Sequence, residues 1–183
     1  MELLDELLVV FITFFTVIDP IGTVPVFIAV TASSQSKQRK KIALKAALVA
    51  TGVLLFFIIL GELILDAINI PLSTFQIAGG IVLFLFAMTM IFGETKPESE
   101  ISRKNKNDDI AIFPLAMPSL ASPGAILAAI LLTKNSNYSM TEQSLTTLMM
   151  VLVMFIAWVF MALSTKIFRF IGNGGAAIIS RIM

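Results

Sequence analysis

One carboxylate, one glycine and two prolines interrupt the first apolar run, in Thr16-Val17-Ile18-Asp19-Pro20-Ile21-Gly22-Thr23-Val24-Pro25. A charge at membrane depth costs about 2.5–3.5 kcal/mol on insertion scales, which makes Asp19 a functional candidate. Proline lacks a backbone donor and clashes with the turn before it, so the helix is expected to break between 20 and 25. Such a break exposes carbonyls on one half-helix and N–H groups on the next, with partial negative and positive charge respectively. That is the chemistry of a zwitterion site. The N–H ends near Gly22 and Thr23 suit a carboxylate, while Asp19 and the nearby carbonyls suit an ammonium. A second stretch repeats the proline spacing, Pro118-Ser119-Leu120-Ala121-Ser122-Pro123, followed by Gly124 and preceded by Pro114. The candidate residues for a substrate or coupling ion are therefore Asp19, Pro20, Gly22 and Thr23 together with Ala121, Ser122, Pro123 and Gly124.

Asp19 has other uses. It can carry a coupling proton, with desolvation raising its pKa and nearby N–H donors lowering it. It can hold Na⁺ with unwound carbonyls. The bland reading is that it caps the second half-helix and the prolines only shape kinks. The chain contains no Cys and no His, which excludes disulfides, thiolate metal sites and histidine relays. No acid–base pair and no Walker A loop is visible, so neither an enzyme, a resident cofactor nor ATP-driven transport is expected.

The elements that must position these residues are membrane helices. The 183-residue chain is 57% hydrophobic and only 14% charged, against roughly 25% charged in soluble domains. Its natural partner is the lipid bilayer, and a net charge of +1 gives no case for nucleic acid. The acidic start, Met1-Glu2-Leu3-Leu4-Asp5-Glu6, does not read as a signal peptide. Five segments reach the roughly 20 residues needed to span: 7–30, 42–61, 75–92, 110–132 and 145–164. Twelve of the thirteen basic residues fall on one side of that layout, including Lys37, Arg39, Lys40, Lys41 and Lys45, and only Lys134 falls on the other. The positive-inside rule then puts the N-terminus outside and the basic loops in the cytoplasm, in a multi-pass protein of the cytoplasmic (inner) membrane. The mixed-charge loop 94–109 reads as a solvated connector, and Lys45 as snorkelling to the interface. Glu62 and Asp66 read as solvated at the outer end of the second helix. Trp158 lies deep in the fifth segment, where packing is the expected role. Thr13, Thr16, Thr51, Gln76 and Thr89 are candidates for hydrogen bonds between helices, and Gly79-Gly80 for close packing.

The two proline pairs lie 98 residues apart in the corresponding helix of each half. Halves of three helices have opposite orientations, so the expected fold is an all-α membrane protein built as an inverted repeat of three plus three transmembrane helices, with helices 1 and 4 broken by prolines. The expected organisation is a first repeat over 1–93, a cytoplasmic linker over 94–109 and a second repeat over 110–183. The same offset projects a sixth helix from about residue 173. Gly172-Asn173-Gly174-Gly175 reads as the turn before it, and 176–183 as its first turns, so this helix is expected to be truncated.

At these residues the chain resembles the MarC family of integral membrane proteins, also grouped as the neutral amino acid transporter family. The resemblance is carried by Ile18-Asp19-Pro20-Ile21-Gly22-Thr23-Val24-Pro25-Val26-Phe27, Ala78-Gly79-Gly80, Phe113-Pro114-Leu115-Ala116-Met117-Pro118, Ser122-Pro123-Gly124-Ala125-Ile126 and Arg181-Ile182-Met183. It implies six helices in two inverted halves and, from characterised relatives, transport of small neutral amino acids such as glycine and alanine. Family members usually have Gly where this chain has Ser122, and their sixth helix continues past the position of Met183. The resulting expectation is a secondary carrier of small neutral amino acids, with H⁺ or Na⁺ as a coupling ion and a homo-oligomer allowed. A small-solute or ion channel and a non-transporting accessory subunit are the alternatives.

Overall fold

The structure is a computed structural model describing residues 2–32, 34–92, 109–134 and 138–182. It is an all-α membrane protein, with no strand among the described residues. The helices are α1 (Glu2–Ile18), α2 (Thr23–Val30), α3 (Ser36–Ala67), α4 (Leu72–Phe92), the irregular segment α5 (Ala111–Leu120), α6 (Pro123–Leu131) and α7 (Met140–Ile182). Three stretches are long and apolar enough to cross a membrane: Leu4–Val30, which contains α1 and α2, Ser36–Ala67, and Met140–Ser164. The pair α5–α6, bent by 55°, makes a fourth if it is one span. The 21-residue α4 occupies the place of the expected third span.

On α3 mostly small residues face inward and large ones outward. Ala43, Ala46, Ala47, Ala50 and Leu54 form one buried stripe, while Leu44, Leu48, Phe56, Ile59 and Leu63 are exposed. With no water to exclude between helices in lipid, close backbone approach and van der Waals packing hold the bundle together, and small residues allow it. The α7 stripe Met150, Val153, Met154, Ala157 and Met161 completes the core with Phe14, Ile18, Val26 and Phe27. Helix α7 packs against α1, α2 and α3, and α3 packs against α5 and α6.

The ends of the bundle differ in charge. One groove of about 490 Å³ brings Asp5, Glu6, Val9 and Val10 of α1 beside Leu132, Glu142, Leu145 and Thr146. A second, of about 810 Å³, brings Glu62 and Asp66 of α3 beside Gln143 and Thr147 of α7. These carboxylates mark an acidic end, with Lys37, Arg39, Lys40, Lys41 and Lys45 on the opposite part of α3. It follows that α1–α2 and α7 run away from the acidic end, and α5–α6 runs toward it. The broken spans are therefore antiparallel.

Local chemistry sets several boundaries. Helix α3 begins at Ser36, six residues before the apolar segment, so the basic cluster lies in its first turns. The Arg39 guanidinium donates to the Thr31, Ala32 and Ser34 carbonyls at 3.1 Å each and holds the α2–α3 connection. At the start of α7, Ser139 N–H donates to Glu142 Oε2 at 2.6 Å and Glu142 N–H to Ser139 Oγ at 3.3 Å, a reciprocal capping box.

Some expectations change. The turn expected at Gly172-Asn173-Gly174-Gly175 is absent, because α7 runs unbroken from Met140 to Ile182. Glycine in a helix costs about 1 kcal/mol relative to alanine but keeps its N–H, whereas the two real breaks carry proline. Thr13, Thr16 and Thr51 do not reach across helices. Their hydroxyls donate to the Val9, Ile12 and Ala47 carbonyls of their own helices at 2.7–2.8 Å. Gln76 is exposed. Lys45 forms an ion pair with Asp109. A methyl added at Gly79 would meet Leu127 Cδ2 at 2.6 Å, so Gly79 is the close-packing glycine between α4 and α6, while Gly80 faces open space. Residues 94–108 of the expected linker and the side chain of Thr89 lie outside what is described.

Candidate functional site

The first break closes on itself. Asp19 adopts a left-handed backbone, φ 52°, which Asp tolerates better than most residues because its short polar side chain can bond locally. Its Oδ1 accepts the Gly22 N–H at 2.8 Å, and its carbonyl accepts both Thr23 N–H at 3.1 Å and Thr23 Oγ1 at 2.9 Å. The Val24 N–H goes to the Ile21 carbonyl at 3.1 Å. Pro25 has no N–H and stands in the first turn of α2, where a missing donor is least costly. A side chain at Gly22 would overlap the Asp19 carboxylate, which would have to move to admit it.

These bonds revise one expectation. The N–H groups at Gly22 and Thr23 are already occupied by Asp19 and do not await a ligand carboxylate. The Asp19 side chain bonds the residue just before α2, and its carbonyl takes the first N–H of that helix.

The second break is more elaborate than proline spacing suggests. Phe113 (φ −126°, ψ 125°) and Met117 (φ −134°, ψ 127°) are extended within α5. Each precedes a proline, whose ring disfavours helical backbone in the residue before it. The Ala121 N–H then reaches back five residues to the Ala116 carbonyl at 2.8 Å. Ser122 is extended, φ −68° and ψ 159°, and N-caps α6, with Pro123 as its first residue. Ser122 Oγ accepts the Ala125 N–H at 3.1 Å, and the Ser122 carbonyl accepts the Ile126 N–H at 3.0 Å. The Gly124 N–H is the first-turn donor that these two caps leave unused.

The two breaks meet. Ser122 Oγ donates to the Val17 carbonyl at 2.8 Å, 105 residues away, taking one of the end carbonyls of α1. Thr23 Oγ1 and Ser119 Oγ lie 3.3 Å apart. Because the Thr23 hydroxyl hydrogen goes to the Asp19 carbonyl, Ser119 is the donor in this pair. Both bonds between the breaks therefore run the same way: the second span donates and the first accepts. Ser119 was not singled out from sequence, although it lies in the quoted motif.

Of the candidate residues, Pro20, Gly22, Thr23, Ala121, Ser122 and Gly124 are buried, Asp19 is partly buried and Pro123 is exposed. Thr23 and Ser119 are 0% and 1% exposed. The two grooves described above open at the acidic end. At the basic end Asp109 bonds Lys45 and also accepts the Ala111 N–H at 3.0 Å. The Lys45 ammonium, followed by this backbone bond, holds the Asp109 carboxyl below its ordinary range.

A family model described as MarC family integral membrane protein matches residues 4–183. Among curated proteins the chain is similar to a UPF0056 membrane protein of Archaeoglobus fulgidus, 36% identical over 94% of this chain and 82% of the relative. A UPF0056 membrane protein of Aquifex aeolicus is 35% identical over the same shares. Another, from Methanocaldococcus jannaschii, is 33% identical over 98% of this chain and 89% of the relative. No solved structure matches.

Proposed function

The chain belongs to the MarC family of integral membrane proteins, and we propose that it is a secondary carrier of small neutral amino acids, of the glycine or alanine kind, held where the two broken spans meet. The observation that carries this reading is the one-way polarity of the seam. The first span offers acceptors, the Val17 carbonyl and Thr23 Oγ1. The second span offers donors, the Ser119 and Ser122 hydroxyls. A zwitterion substitutes for both sets at once, its ammonium toward Val17 and Thr23 and its carboxylate toward Ser119, Ser122 and the Gly124 N–H.

The surrounding Gly22, Thr23, Ala121 and Gly124 are small and fit a substrate with little side chain. Broken helices facing each other within the membrane are a recurring carrier device. Asp19, placed where a proton or Na⁺ would meet the ammonium end, is the coupling candidate. The basic end faces the cytoplasm on this reading, following the loop charges.

The test is flux of labelled glycine and alanine in proteoliposomes containing the purified protein. Saturable uptake, with each amino acid competing against the other and accelerated by a proton or sodium gradient, is expected. Ion conductance without such competition would indicate a channel, and no flux from folded protein would indicate an accessory role.

A further inference from the structure

Trp158 is the chain's one tryptophan. Among the described residues its Nε1 is the one buried side-chain polar atom without a hydrogen-bond partner. A buried tryptophan N–H usually finds an acceptor, and leaving it without one forfeits its solvation. The ring packs against the core, with Phe155 at a centroid distance of 5.4 Å.

The position of this donor follows from the register of two parallel helices. The groove at the acidic end is lined by Asp5, Glu6, Val9 and Val10 of α1 together with Glu142, Leu145 and Thr146 of α7, so the first turns of the two helices lie at one level. Both helices advance about 1.5 Å per residue from there, which brings Trp158 level with the 19–22 break. Helix α7 touches both α1 and α2, on either side of that break. Trp158 also borders the buried stripe of Met154, Ala157 and Met161 that faces the core.

We propose that Trp158 is a ligand-binding residue of this site, its Nε1–H donating to a carboxylate oxygen of the bound amino acid. The assignment rests on the carrier reading and adds a donor from a third membrane span. The Ser119 and Ser122 hydroxyls must leave the Thr23 and Val17 oxygens before they can serve a ligand. The indole N–H gives up no protein bond. It is the donor a carboxylate gains at least cost.

The test uses the full chain in micelles with ¹⁵N-labelled tryptophan, so that one indole cross-peak reports on one residue. L-Alanine, glycine and ethylamine, which is alanine without its carboxylate, are titrated against it, with thermal stabilisation measured in parallel. Alanine and glycine are expected to move the peak downfield and stabilise the protein, and ethylamine to do neither. Trp158→Phe, which keeps an aromatic ring and removes the donor, is expected to weaken alanine binding roughly tenfold. Equal stabilisation of wild type and Trp158→Phe with an unmoved peak overturns the role of Trp158 and leaves the carrier reading standing. An equal shift with ethylamine overturns the carboxylate assignment. No response of the wild type to either amino acid overturns both. The cross-peak is read on the wild type and does not depend on the variant folding.

Discussion

The Ser122 hydroxyl joins two parts of the chain that are 105 residues apart, donating to the Val17 carbonyl at 2.8 Å while accepting the Ala125 N–H at 3.1 Å. Ser122→Ala removes both bonds, leaving a carbonyl at the end of α1 and a donor at the start of α6 unsatisfied. Loss of stability by about 1–3 kcal/mol is expected, read as a lower unfolding temperature in micelles. Wild-type stability in this variant would mean that the seam is held by packing alone.

Asp19 and Gly22 form a single device, because the carboxylate occupies the space a Gly22 side chain would need. Gly22→Ala should therefore displace the carboxylate, break the bond to the Gly22 N–H and abolish amino-acid flux in proteoliposomes. Asp19→Asn should fold as wild type, since asparagine tolerates the left-handed backbone and retains an acceptor at Oδ1. It removes the charge and turns one acceptor oxygen into a donor. Loss of gradient-driven flux in folded Asp19→Asn assigns coupling or binding to the carboxylate, and unchanged coupled flux leaves Asp19 as a cap.

The Lys45–Asp109 pair gives a prediction in pH. The Asp109 carboxyl titrates below its ordinary value of 3.8 in the folded protein. Its contribution is therefore complete above that value and is lost as pH falls through the lower, folded-state value. Both side chains are about half exposed, so the effect should stay under about 1 kcal/mol. Unfolding temperatures measured from neutral pH down to pH ~3 should fall less steeply in Asp109→Asn than in wild type. Parallel acid limbs would rule the pair out as a contributor.

The adjacent glycines of α4 should part company. Gly79→Val thrusts side-chain atoms into Leu127, already 2.6 Å from a methyl placed there, and should destabilise by about 1–3 kcal/mol. Gly80→Ala meets nothing within 4 Å and should be neutral or stabilising by up to about 1 kcal/mol. Comparing unfolding temperatures of the two variants decides it. Equal destabilisation would place the α4–α6 contact elsewhere.

Much of this architecture is legible in the sequence because proline is an unambiguous signal in a membrane helix. The Asp19-Pro20 break, the Ser122-Pro123 break and their meeting all follow from removed donors and the need to satisfy backbone groups in lipid. Glycine is a weaker signal, so the run Gly172-Asn173-Gly174-Gly175 suggests a turn where α7 continues. The threonines mislead for a related reason. A hydroxyl one turn from a carbonyl of its own helix bonds there first, as Thr13 does with Val9. Ser119 and the unpartnered indole of Trp158 are invisible to sequence reading, because their meaning depends on what lies across the bundle and not on their neighbours in the chain.

The bonds of the two breaks also imply an order of assembly. Apart from the Ser122 bond to the Val17 carbonyl, the bonds described at the first break lie between Phe15 and Val24, from the Asp19 N–H bond to the Phe15 carbonyl to the Val24 N–H bond to Ile21. The second break borrows Val17 and Thr23 from the first. A ribosome delivers residues in that same sequence, so the first span can enter the bilayer with its interruption closed except at the Val17 carbonyl, which waits for Ser122. The later one then docks onto that template.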